Sequence, residues 1–230
     1  MTDHRPLRIF IGFDPRNVIS FTACVASILA RSSKPLAITP LVAQTLPIEN
    51  RGEDAHLFAR FLVPWLCGFE GWALYVEPSV MFVADPVELF ALADEQFAVM
   101  VRDISDGLED ARADVMLLNC AHADNAKLVP EAVGNAAFSL NWSTAVGHLP
   151  TDWHHLVGYD EPNPDAKLVH FAQGVPAWPE TFACEWSEEW LRMVQIANWP
   201  WALKEVEAQV PYQKTEDRGQ RTEDRGQKNR

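Results

Sequence analysis

One short run constrains this chain more than any other: Trp72–Val76, five apolar residues between Gly71 and Pro78. A helix would be longer and would not meet a proline so soon, so the run predicts a buried strand. In an open α/β sheet, ligands bind beyond the carboxyl ends of the strands. Here that end is Glu77-Pro78-Ser79. A second apolar run follows over 80–83, and Asp85-Pro86 predicts a helix start at Val87.

The flanking sequence repeats this logic. Residues 7–11 read as a strand, closed by Gly12-Phe13-Asp14-Pro15 with turn chemistry. Val18, Phe21, Val25, Ile28 and Leu29 recur at helical spacing, predicting a first helix over 18–30. Further strands are expected over 38–41, 97–102, 115–118 and 166–169, the last delivering His170 to its carboxyl end. Helices are expected over 56–62, ending before Pro64, over 127–133 and over 186–197. Strand, turn and helix in alternation predict an α/β fold, a mixed and mostly parallel sheet flanked by helices. Neither a GxGxxG nor a phosphate-loop motif occurs, so dinucleotide and ATPase readings lose their support.

The 230 residues suffice for one α/β domain, assigned to 1–212. Residues 213–230 carry TEDRGQ twice and no stretch able to bury a core, so they are expected to be disordered. A formal charge of −13 argues against nonspecific binding to nucleic acid, because no basic surplus displaces counterions. Cys24, Cys67, Cys120 and Cys184 form no CxxC pair, which fits reduced thiols in a cytoplasmic protein. No secretory signal or apolar run of membrane-spanning length is evident. The acidic loop 103–110 reads as a solvated surface or as a cover over a site.

Residues 60–64 (RFLVP), Leu66-Cys67-Gly68 and Gly71-Trp72-Ala73-Leu74 resemble bacterial glycosyltransferases related to family 8, the glycogenin and lipopolysaccharide-galactosyltransferase group. Residues 153–158 (WHHLVG) and 170–178 (HFAQGVPAW) resemble later segments of the same group. The resemblance implies a GT-A-like nucleotide-diphospho-sugar transferase fold. It implies transfer of a hexose from a nucleotide-diphosphate sugar to a glycan or other acceptor, with retention of configuration. It also suggests peripheral association with envelope-polysaccharide machinery.

By the same resemblance, Gly12, Phe13 and Asp14 border the nucleotide, and Arg60 and Gly174 face the diphosphate. A guanidinium suits that partner through its planar donor fork, and a glycine lets backbone amides approach. The group carries Asp-x-Asp where this chain has Glu77-Pro78-Ser79, and its histidine ligand matches His170. A site for Mn²⁺ or Mg²⁺ built from Glu77, Ser79 and His170 is therefore expected to be weak or absent. The Asn-Ser-Gly-Val of many relatives reads Arg112-Ala113-Asp114-Val115 here, and their lysine before the tryptophan reads Pro176. The alternative is an inactive nucleotide-sugar-binding or scaffold protein. His154 and His155, adjacent in sequence, point to opposite faces of an extended chain and do not suit one ion. Trp186, Trp190, Trp199 and Trp201 read as packing before sugar stacking.

Overall fold

The computed structural model describes residues 5–48, 58–103, 113–133 and 140–198. The tail repeat, most of the acidic loop, Trp199 and Trp201 lie outside the described residues. Nine strands run in chain order within them: β1 Leu7–Gly12, β2 Leu36–Leu41, β3 Trp72–Val76, β4 Val80–Phe82, β5 Val99–Arg102, β6 Val115–Asn119, β7 Val146–Leu149, β8 His155–Leu156 and β9 Leu168–His170. Between them lie α1 Val18–Arg31, α2 Val63–Leu66, α3 Pro86–Phe90, α4 Pro130–Val133 and α5 Ser187–Asn198. The main sheet has the order β2-β1-β3-β6-β5-β7. Only β6 runs against the others, being antiparallel to both β3 and β5. A smaller sheet, β4-β9-β8, stands beside it.

The Trp72–Val76 run is the central strand that its composition predicts, buried from Ala73 to Val76. A backbone turn closed by Val80 N–H to Glu77 C=O (3.2 Å) carries the chain from β3 into β4. Glu77 therefore stands at the seam between the two sheets. The helix after Asp85 starts as expected: the Asp85 carboxylate accepts from Val87 N–H at 2.9 Å, and Pro86 fills the first helical position.

Two local expectations change. The helix expected to stop before Pro64 does not stop there. A 3-10 turn, Arg60–Leu62, runs directly into α2, with Pro64 in the first turn of the new helix. Proline is tolerated there because that N–H needs no intrahelical acceptor. The buried face of α1 takes in only part of the large-residue stripe: Ile28 is in the core and Phe21 and Val25 pack against it. Val18 and Leu29 are exposed, while Ser20, Ala23, Cys24, Ala26, Ser27 and Ile28 are buried. Small residues let α1 lie close to β4: Ser27 Oγ accepts from Phe82 N–H at 3.0 Å and donates to Cys24 C=O at 2.7 Å.

One side of α1 packs Cys24 and Ile28 against Ile9, Ile11, Leu74 and Val76 of the main sheet. Its other side packs Ala23 and Ala26 against Met81, Phe171, Trp190 and Met193. The four thiols are free, with Cys24 and Cys120 fully buried. Among the described residues, no helix is long and apolar enough to cross a membrane.

Candidate active site

Three chain segments remote in sequence meet at the seam. Glu77 directly follows β3, β6 begins just after Asp114, and β9 ends at His170. Backbone bonds fix the meeting. Glu77 N–H donates to Asp114 C=O at 2.8 Å, and Phe171 N–H donates to Ser79 C=O at 3.1 Å. His170 lies opposite Val80 in the β4–β9 pairing. Gly12 closes the near side: a Cβ there would stand 3.1 Å from the Tyr75 hydroxyl and 3.2 Å from Pro78 Cδ. The close approach of β1 to the end of β3 thus leaves little room for a side chain at this position.

Arg60 enters from the 3-10 turn and is only 4% exposed. Its Nη2 meets Glu77 Oε1 at 2.6 Å and its Nη1 meets Asp114 Oδ1 at 2.6 Å. The guanidinium carbon lies 5.3 Å from the centre of the Tyr75 ring, and the Tyr75 hydroxyl donates to the same Glu77 Oε1 at 2.5 Å. Burial alone would lower the pKa of this guanidinium. The neighbouring Tyr75, Glu77 and Asp114 reverse that and hold it above its ordinary value. Burial likewise pushes the Tyr75 phenol up.

Behind the carboxylates lies a pair of buried imidazoles. His154 Nε2 and His170 Nδ1 are 3.1 Å apart, and the rings stack at 5.2 Å. His170 Nε2 faces Asp114 Oδ2 at 3.9 Å. Across the 3.1 Å contact one ring donates and the other accepts. His154 Nδ1 is buried with no hydrogen-bond partner. Burial lowers the pKa of both rings, that of His170 to about 4, with Glu77 pulling upward and Arg60 downward. His155 turns the other way, toward Glu185 at 2.9 Å and Asp160 at 3.5 Å, as adjacency on an extended chain predicts.

Of the residues singled out from sequence, Gly12, Arg60, Glu77 and His170 converge, and Ser79 joins them through its backbone. Phe13 instead packs edge-on against Phe21 at 5.2 Å, and Asp14 clasps Arg16 at 2.8 Å. Gly174 sits in a turn at φ 111°, its N–H bonded to Phe171 C=O at 2.9 Å. Sequence reasoning missed Tyr75 and His154 as members. It met Asp114 only as a departure from a glycine pattern; a new carboxylate at a strand start is the signal that a basic partner lies nearby.

The donor set does not fit a divalent cation. One oxygen of each carboxylate is bound to Arg60, His170 Nδ1 is engaged with His154, and Ser79 offers a neutral oxygen. Among the described residues, no group of three or more His, Cys, Asp or Glu side chains is arranged to hold a metal ion.

No protein-family profile matches the chain. Protein CDI of Arabidopsis thaliana is 30% identical over 231 aligned positions, covering 86% of this chain and 89% of its own. Among solved structures, apo GlyE of Streptococcus pneumoniae TIGR4, a glycosyltransferase, superposes with a TM-score of 0.61 at 16% identity, over 88% of this chain and 64% of its own. The apo bifunctional glycosyltransferase WbbM gives 0.59 at 16% identity, over 92% of this chain and 53% of its own. The galactosyltransferase LgtC, solved with donor and acceptor sugar analogs, gives 0.56 at 11% identity, over 89% of this chain and all of its own. The chain thus spans about half of WbbM and under two thirds of GlyE. These likenesses establish the fold as GT-A-like.

Proposed function

Because the chain belongs to the family of Arabidopsis Protein CDI and carries a glycosyltransferase fold, we propose that it is a glycosyltransferase. It moves a hexose from a nucleotide-diphosphate sugar to a glycan or other acceptor. Retention of the donor's configuration goes with the family 8-like motifs of the sequence. The observation that carries this reading is the meeting of Gly12, Glu77, Asp114 and His170 at strand ends of one sheet seam. Strand ends are where such folds bind their ligands. Glycosyl transfer needs the donor oriented and water kept from the anomeric carbon. The residues assigned to orientation are Gly12, where backbone comes close, and the turn at Gly174.

A panel of nucleoside-diphosphate hexoses tests it, with release of nucleoside diphosphate as the readout. Slow release is expected from the wild-type chain, falling at least tenfold in Glu77→Gln. Absence of both release and nucleoside-diphosphate binding contradicts the proposal.

One observation favours a second reading. Two carboxylates share a single guanidinium, and both imidazoles are neutral at pH 7, so the cluster carries net negative charge. A diphosphate is repelled by such a cluster. A protein that binds a sugar ligand or a partner without turnover fits that charge. Saturable glycan binding with no donor cleavage would select it.

A further inference from the structure

The carboxylates of Glu77 and Asp114 face a common point, and that point is already filled. We infer that the guanidinium of Arg60 is the resident counter-ion of this site and keeps Mn²⁺ and Mg²⁺ out of it. This rests on geometry and holds whether or not the protein transfers sugar.

Arg60 bridges the two acids, Nη2 to Glu77 and Nη1 to Asp114, each at 2.6 Å. Each contact is a single charge-assisted hydrogen bond, and together they engage both arms of the guanidinium. The side chain is 4% exposed and rests on the face of Tyr75. An arriving ion would have to eject a cation that cannot lose its proton and has no solvent to enter. Its own charge would meet that cation at close range, where the surroundings screen poorly.

Sequence changes around the seam agree with this. Asp114 stands at the glycine of the Asn-Ser-Gly-Val pattern and gives Arg60 its second anchor. Ser79 stands at the second aspartate of Asp-x-Asp and offers a neutral oxygen, a weak partner for a hard divalent cation. The neutral Ser79, the acid at Asp114 and the buried arginine together leave a covalently attached monovalent cation where the two carboxylates meet.

The test uses Mn²⁺ alone, without nucleotide, titrated into the full chain at neutral pH and read by electron paramagnetic resonance. Wild type and Arg60→Lys, which keeps the positive charge, are expected to leave the free Mn²⁺ signal intact apart from weak surface binding. Arg60→Gln is expected to capture one Mn²⁺ per chain at least tenfold more tightly, and Mn²⁺ is expected to raise its melting temperature. Stoichiometric Mn²⁺ binding by wild type that Glu77→Gln abolishes overturns the inference. So does a folded Arg60→Gln that gains no affinity. Should Arg60→Gln not fold, the wild-type titration with its Glu77→Gln control decides alone. A chain that binds neither Mn²⁺ nor nucleoside diphosphate would sustain this inference while removing the transfer proposal. Tight Mn²⁺ binding at Glu77 would do the reverse.

Discussion

His154 and His170 are two imidazoles held neutral inside the protein, facing Asp114, Glu77, Arg60 and Arg102. An unfolded histidine titrates near 6.5, whereas His170 in the fold titrates near 4. Between those values the unfolded chain binds more protons, so stability is full above about pH 6.5 and falls as pH drops toward 4. The loss for His170 is about 3 kcal/mol. Urea unfolding at pH 7, 5 and 4 measures it, and His170→Gln is expected to flatten that slope. Gly12 permits a second prediction. Alanine there meets the Tyr75 hydroxyl at 3.1 Å, and that hydroxyl is tied to Glu77 at 2.5 Å and cannot swing away freely. Gly12→Ala is expected to cost about 1–3 kcal/mol, read as a lower urea midpoint. That Gly12, Glu77 and His170 lie at strand ends was legible in the sequence from the apolar runs that precede them. Tyr75 was not, because within an apolar run nothing marks one hydroxyl as pointing at an acid two residues on.

The elements form because small residues and caps agree with the strands they join. Ser27 is the tie between α1 and β4: it satisfies the Phe82 N–H, which faces the helix. Ser27→Ala leaves that buried donor without a partner, and a loss of about 1–3 kcal/mol is expected in chemical unfolding. Ser27→Cys, which keeps a weak acceptor, is expected to lose less. Helical periodicity over 18–30 was correct as to element and, through Phe21, Val25 and Ile28, as to one packed face, but not as to the face against β4. Hydrophobic spacing marks Val18 and Leu29, yet close packing against β4 selects serine and alanine, which periodicity does not weigh. The 3-10 turn ahead of α2 was unreadable for a related reason. Pro64 signals a stop in a helix interior and a start in a first turn, and here it stands in a first turn.

Across the whole molecule, two sheets meet along one seam, with α1 wedged between the main sheet and α5. Arg31 fastens that wedge, donating to Val83 C=O at 2.8 Å and pairing with Glu189 at 2.6 Å. The order of strands and helices was legible because apolar runs of strand length are punctuated by glycine and proline. The reversal of β6 was not, since direction depends on which neighbour a strand finds, a long-range choice. That reversal brings Asp114 to the tip of β3 and so creates the carboxylate pair that Arg60 bridges. The central claim is that these tips form one ligand site. Amide and imidazole chemical shifts of the labelled chain, followed during titration with nucleoside diphosphates in the presence of EDTA, test it most directly. The account predicts saturable shifts at Gly12, Glu77, Ser79 and His170 together. Shifts confined to residues away from the seam, or none with any nucleotide, would contradict it.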